Sequence, residues 1–178
     1  MKHKLNYFLS PQNIVVIGAS NHLRKSAGRT LVNLLKTNYA GDIYVVNPNH
    51  REVLELPSYP SVLDIPVDVE LACIVTPAET VPEIMRQCVK KGVKAVLIMS
   101  GGFSENGPQG AELEREIKQI IANEDIVVYG PNSPGLFSYK EQWGLSFSPR
   151  FEPKLFDAGN IGLISQAGTL ARAILDAN

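Results

Sequence analysis

The chain has 178 residues, 44% of them hydrophobic and 20% charged, with a formal net charge of −1. That is enough chain for one well-buried domain, and its make-up is that of an ordinary globular protein. The first apolar patch, Leu5 to Leu9, is broken by Asn6 and is too short for a signal-peptide core or a membrane span, so the expected location is the cytoplasm and no membrane partner is expected. The charge is uneven. Before Asp42 there is no acidic residue, while Lys2, Lys4, Arg24, Lys25, Arg29 and Lys36 are basic, which leaves eleven basic against eighteen acidic residues in the remainder. This small basic set lacks interleaved aromatics, which argues against nucleic acid and for a compact anionic ligand. Cys73 and Cys88 show no CxxC or metal-ligand spacing. They read as buried free thiols in a reducing compartment, and no metal site is expected.

Met1 to Gln12 is a lead-in whose Tyr7-Phe8-Leu9 is expected to pack on a sheet, with Lys2 and Lys4 at a flexible end. Ile14 to Ile17 is a short apolar, β-branched run closed by Gly18-Ala19-Ser20, the pattern of a strand buried on both faces. Ser26-Ala27-Gly28 then opens an amphipathic helix with Leu31, Leu34 and Leu35 on one side. A strand, a small-residue turn and a helix start form the place where an α/β sheet holds phosphate, because free N–H groups and the helix dipole both face outward there. Gly18 permits close backbone approach, and Ser20 and Asn21 add side-chain donors beside the cations Arg24 and Lys25.

Asp42 to Val46 is a second strand ending in Asn47-Pro48-Asn49, and Arg51 to Pro66, punctuated by three prolines, reads as irregular. Val69 to Val75 is a third strand, closed by Thr76-Pro77; Ala78 to Lys91 is a helix capped by Gly92. Val93 to Met99 is a fourth strand, ending in Ser100-Gly101-Gly102-Phe103; Pro108 to Asn123 is a helix; Ile126 to Tyr129 is a fifth strand, ending in Gly130 to Gly135. Leu136 to Asn160 reads as a long connection anchored by Tyr139, Trp143, Phe147, Phe151 and Phe156. Ile161 to Ile164 with Ser165 to Thr169 repeats the first strand and turn, and a helix opens at Leu170.

The alternation implies an α/β fold: a Rossmann-like, doubly wound parallel sheet with right-handed crossovers and helices on both faces. Its expected organisation is a ligand-binding domain over 1–140, a connection over 141–158, and over 159–178 the start of a second, flavodoxin-like domain or a capping strand and helix. Five consecutive small or polar strand ends describe a shallow, backbone-rich site outside the carboxyl edge. For a dinucleotide, G-x-G-x-x-G and an acid after the second strand are required, and neither is present, since Gly28 is the next glycine after Gly18 and the second strand ends in Asn47. NADP is less strongly excluded, because Ser20, Arg24, His50 and Arg51 could meet a ribose phosphate. Coenzyme A carries the same ribose phosphate and pyrophosphate, and its pantetheine arm could lie across successive strand ends.

GAS, VVNPN, SGGFSENGPQG and GPNSPGLF, in this order, resemble the CoA-binding domain of the nucleoside-diphosphate-forming acyl-CoA synthetases, relatives of the succinyl-CoA synthetase α subunit. The same domain occurs in some fused protein lysine acetyltransferases. The closing GNIGLISQAGTLARAILDAN resembles the entry into the next domain of these synthetases. The resemblance implies that Gly18, Ala19 and Ser20 line the CoA phosphate and pantetheine path. It puts Asn47, Pro48 and Asn49 by the adenosine end. Thr76, Pro77, Ser100 and Gly101 would flank the pantetheine, with Asn132 holding the last loop near the thiol. The family often has Lys where this chain has Asn49, so that phosphate contact would be either lost or taken over by His50 or Arg51.

It further implies an ADP-forming acid–thiol ligase working through acyl phosphate and a phosphohistidine, with CoA or acyl-CoA as ligand and with ATP-grasp and phosphohistidine-bearing domains or subunits as partners. His3 is terminal, and His22 and His50 sit in loops by the expected CoA phosphates, so none fits the phosphorylated histidine. Ser165 and Gly168 are candidates to receive it in a longer protein. The chain itself is expected to bind CoA without catalytic residues of its own. The competing readings are an NADP-binding oxidoreductase fragment, the CoA-binding module of a protein lysine acetyltransferase, and a stand-alone CoA or nucleotide sensor.

Overall fold

The computed structural model describes residues 3–149, 159–170 and 173. A one-turn helix α1 (Asn6–Leu9) leads into β1 (Asn13–Ile17), α2 (Ser26–Leu35) and β2 (Asp42–Val46). Two short strands, β3 (Glu52–Val53) and β4 (Leu56–Tyr59), precede β5 (Leu71–Ile74), α3 (Val81–Lys91), β6 (Ala95–Ile98), α4 (Pro108–Ile121) and β7 (Val127–Tyr129). The hairpin β8 (Gly135–Ser138) and β9 (Trp143–Ser146) follows. The main sheet runs β3-β4-β2-β1-β5-β6-β7 and is parallel throughout except for β3 on β4. It is the expected Rossmann-like α/β architecture.

β1 pairs with β2 on one side, from Asn13 on Asp42 to Ile17 on Val46, and with β5 on the other, from Ile14 on Leu71 to Ile17 on Ile74. The winding direction therefore reverses between β1 and β5. Alternate side chains feed two cores. Ile14 and Val16, with Leu71 and Cys73, Ala95 and Leu97, face Leu31 and Leu34 of α2. Val15 and Ile17, with Ala72 and Ile74, Val96 and Ile98, face Met85 and Cys88 of α3 and Ile117 of α4. Continuous apolar runs rather than alternating ones are what burial on both faces requires. Both cysteines are free and buried, and burial pushes the Cys88 thiol up to about 12, which keeps it protonated and inert.

Four expectations change. Arg51 to Pro66 is not irregular throughout, because β4 adds to the sheet edge beside β2 through Ser58 on Val45 and Tyr59 on Val46. Its prolines are compatible with this, since Pro57 faces only the short antiparallel β3 at the rim. Leu136 to Asn160 is not simply a connection. β8 and β9 form a hairpin whose buried Trp143 and Leu145 join the α2 core, and Trp143 Nε1 donates to Leu9 O at 3.2 Å. Phe151 and Phe156 lie outside the described residues. Ile161 to Ile164 forms no strand: Ile161 is 94% and Ile164 96% exposed, and no strand among the described residues pairs with them. Lys4 forms an ion pair with Asp125 at 2.6 Å, and Lys2 lies outside the described residues.

Candidate functional site

The carboxyl ends of β1, β2, β5 and β6 converge where the winding reverses. Gly18 N donates to Val46 O at 2.8 Å, Val75 N to Ile17 O at 3.0 Å and Met99 N to Ile74 O at 3.0 Å, so the ladder is carried to the rim before the loops diverge. Gly18 has φ 91°, and a Cβ there would fall well inside contact distance of Thr76 Cγ2. Only glycine lets the β1 exit cross so closely over the β5 exit. Gly28 serves the helix in the same way, since a Cβ on it would meet His22 O at 2.5 Å and Ser20 O at 2.8 Å. It seats the first turn of α2 against the loop that Ser20 opens.

That loop presents donors. No side chain caps the amino end of α2, whose cap residue is Lys25, and its first turn carries no acid. Ser20 Oγ accepts from His22 N at 3.1 Å, leaving its hydroxyl proton for a ligand. Asn21 Oδ1 accepts from Leu54 N at 2.9 Å, so its amide NH₂ is the function it has left to offer. Arg24 and Lys25 are exposed beside it. Asn47 is committed elsewhere: its Nδ2 donates to Ala19 O at 2.8 Å and its Oδ1 accepts from Asn49 N at 2.9 Å. An acid at Asn47 could not donate to Ala19 O, which gives a structural reason for its missing carboxylate. Pro48, Asn49, His50 and Arg51 are exposed around it.

Across the crossing the polarity inverts. Ser100 Oγ donates to Thr76 O at 2.6 Å, and Thr80 Oγ1 lies 2.8 Å from both Pro77 O and Thr76 Oγ1. A carbonyl can only accept, so the Thr80 proton goes to Pro77 O and the Thr76 proton to Thr80. Thr76 and Ser100 thus offer lone pairs. Asn132 stands over them with φ 57°, its N donating to Ser100 O at 2.9 Å. A Cβ on Gly101 would sit 3.1 Å from Asn132 Oδ1, and Glu105 Oε1 accepts from Gly102 N at 2.7 Å. That N–H holds the Glu105 carboxyl below the usual carboxylate range.

The structure brings Gly18, Ala19, Ser20, Thr76, Ser100, Gly101 and Asn132 to one rim, with Asn47 joined to it through Ala19. Ser165 stands apart, its Oγ engaged with Ala167 N at 3.1 Å, and a Cβ on Gly168 would lie 3.3 Å from Pro134 in the loop after β7. Sequence reasoning missed Thr80 and Glu105. Each follows its partner by three or four residues in a tight loop, a spacing at which side chain to backbone bonds are common.

A doubly wound sheet with a donor-rich βα turn on one side of the crossing and acceptors on the other defines a Rossmann-class domain for an elongated phosphorylated ligand. The chain belongs to the CoA binding domain family, whose model matches residues 12–138. It is 41% identical over 166 residues to the ADP-forming acetate–CoA ligase II of Archaeoglobus fulgidus, covering 93% of this chain and 24% of that protein. It is 36% identical over 171 residues to the α subunit of ADP-forming acetate–CoA ligase II of Pyrococcus furiosus, covering 96% of this chain and 36% of the subunit. The solved structure of the dinucleotide-forming acetyl-coenzyme A synthetase 1 of Ca. Korarchaeum cryptofilum, in complex with phosphate and ADP, matches with a TM-score of 0.86 at 32% identity. That match covers 97% of this chain and 36% of the synthetase chain. The chain therefore spans between about a quarter and just over a third of the length of these proteins. Coenzyme A is the cofactor, and the oxidoreductase, acetyltransferase-module and stand-alone-sensor readings gain no support.

Gly18→Ala combines left-handed strain with the Thr76 overlap and is expected to lower stability by about 1–3 kcal/mol in urea unfolding. Gly18→Ala with Thr76→Ser removes the overlapping methyl and should recover part of that loss, whereas equal loss in both variants would contradict the crossing as the cause. Glu105 gives a second test. Its folded-state pKa is depressed, so the bond to Gly102 contributes above the ordinary Glu value and is lost as pH falls through the lowered one. The Gly102 amide resonance should hold steady through the ordinary Glu range and move only below it, and Glu105→Gln should abolish that movement. Movement centred on the ordinary value would contradict the bond.

Proposed function

We propose that the chain is the CoA-binding part of an ADP-forming acyl-CoA synthetase, and that its rim holds CoA in one direction. The observation that carries this is the reversal of hydrogen-bonding polarity across the Gly18–Thr76 crossing. The diphosphate, an acceptor everywhere, belongs on Ser20, Asn21, Arg24, Lys25 and the amino end of α2. Gly18 and Ala19 supply the close backbone floor beneath it. The pantetheine arm offers amide N–H groups, which suit the lone pairs of Thr76 and Ser100, with Pro77 and Gly101 at its sides and Asn132 by the thiol. The adenosine lies by Asn47, Pro48 and Asn49, and His50 or Arg51 takes the phosphate contact for which the family often uses Lys at Asn49.

In the longer protein a nucleotide held by an ATP-grasp part would phosphorylate a histidine on another segment, with the nucleoside diphosphate as leaving group, and the phosphohistidine would hand that phosphoryl group to the acid. The acyl phosphate would then pass its acyl group to the CoA thiol, releasing inorganic phosphate and the thiol proton. Ser165 and Gly168 fit reception of that phosphohistidine, and residues 159–178 fit the opening of the next domain. No helix among the described residues is long and apolar enough to cross a membrane, and the cytoplasm suits such chemistry.

Calorimetric titration should show CoA or acetyl-CoA binding more tightly than NADPH or NADH. Ser20→Asp sets a carboxylate against the diphosphate and should weaken CoA by about tenfold or more, about 1.4 kcal/mol, with the circular dichroism unchanged. Tighter binding of a nicotinamide cofactor, or unchanged CoA affinity in Ser20→Asp, would contradict the reading.

A further inference from the structure

The loop that carries the donors is not held by its own hydrogen bonds alone. Arg29, in the second turn of α2, donates from Nη1 to Arg24 O at 2.6 Å and from Nε to Phe147 O at 2.8 Å. One turn later the buried Asn33 donates from Nδ2 to Ser146 O at 2.7 Å and Ser148 O at 3.0 Å. Three consecutive carbonyls at the exit of β9 are thus read by one face of α2, and the same guanidinium reaches forward to the carbonyl of Arg24. No carboxylate among the described residues pairs with Arg29. A cation near the amino end of a helix opposes the helix dipole, so its place is not explained by the helix itself. It is explained by the two carbonyls it joins, in a fork that Lys cannot reproduce.

We propose that Arg29 is a positioning residue for the CoA diphosphate: it does not touch the ligand but clamps the Ser20–Lys25 loop to the segment leaving the β8–β9 hairpin. The inference rests on the proposed placement of the diphosphate at that loop. Its consequence is that Phe147, more than a hundred residues away in sequence, helps set the geometry of the phosphate donors. Because both prongs end on backbone carbonyls, the positive charge itself is not what the clamp requires. Arg29 would act through the position of the loop, and Arg24 and Lys25 would supply the charge that the phosphates meet.

The test uses the whole chain with CoA as probe. Arg29→Gln and Arg29→Lys are titrated calorimetrically over a range of salt, and amide hydrogen exchange is followed in the free and CoA-bound states. Both variants should bind CoA more weakly, by about fivefold to tenfold, with the salt dependence of the wild type retained. In the free state the amides of 20–28 should exchange faster, while those of β5 and β6 stay as in the wild type; CoA should restore part of the protection. A shallower salt dependence in Arg29→Gln alone would mean that Arg29 meets the phosphate directly, and would overturn the clamp. Affinity within twofold of the wild type, or loss of protection across the whole sheet, would overturn it as well. If the wild type itself does not bind CoA, the placement of the ligand fails rather than the clamp. Arg29→Lys keeps the charge and the aliphatic stem, so it remains informative should Arg29→Gln fold poorly.

Discussion

The structure depends on one constraint, that β1 must pair in parallel with two neighbours whose connections leave in opposite directions. β2 is reached over one face through α2, and β5 leads to α3 and α4 on the other. The loops that leave β1 and β5 therefore cannot run together, and a crevice opens between them at the carboxyl edge. Gly18 is where the two exits come closest. Its missing side chain lets the backbone of one strand end cross the side chain of the other, and all the groups that could meet a ligand are arranged around that point.

Backbone satisfaction then decides which groups are left to offer. Ser20, Asn21, Thr76 and Ser100 each have one function committed to holding a loop, and the other is left over. Ser20 and Asn21 spend acceptors and keep donors, whereas Thr76 and Ser100 spend donors and keep acceptors. Asn47 spends both and so defines loop shape rather than contact. The same internal bonds that order the loops thus give the rim a direction. A symmetric anion would use only half of it, while a molecule with phosphates at one end and amide N–H groups at the other would use both.

The central strands were legible because burial on both faces leaves an unmistakable signature: short, β-branched runs such as Ile14 to Ile17, each closed by a glycine, proline or small polar residue. The helices were legible from period and from caps such as Gly92, which adopts φ 77°. The edge was not. β3 and β4 have only two and four residues, are partly exposed and contain Pro57, so their pairing is imposed by β2 rather than written in their own sequence. The β8–β9 hairpin hid for a related reason, since Gly135 and Gly144 weaken the strand pattern and Trp143 is held by Leu9 from the far end of the chain. Ile161 to Ile164 is an apolar run that forms no strand, since among the described residues no neighbouring strand pairs with it. The rim residues were readable as types and places. Which hydrogen each hydroxyl spends was not readable, because that follows from contacts such as Thr80 on Thr76 that only the folded chain creates.

The most direct measurement is an NMR titration of the ¹⁵N-labelled chain with coenzyme A, followed amide by amide. The account predicts shifts confined to the carboxyl edge of the sheet: Gly18 to Gly28, Asn47 to Arg51, Thr76, Ser100 to Gly102 and Asn132. Dephospho-CoA should reproduce the shifts at Ser20 to Gly28 and at Thr76 and Ser100, and differ chiefly at Asn47 to Arg51. Shifts centred instead on the hollow at the opposite edge, lined by Gln12, Tyr39, Gly41 and Trp143, would contradict it.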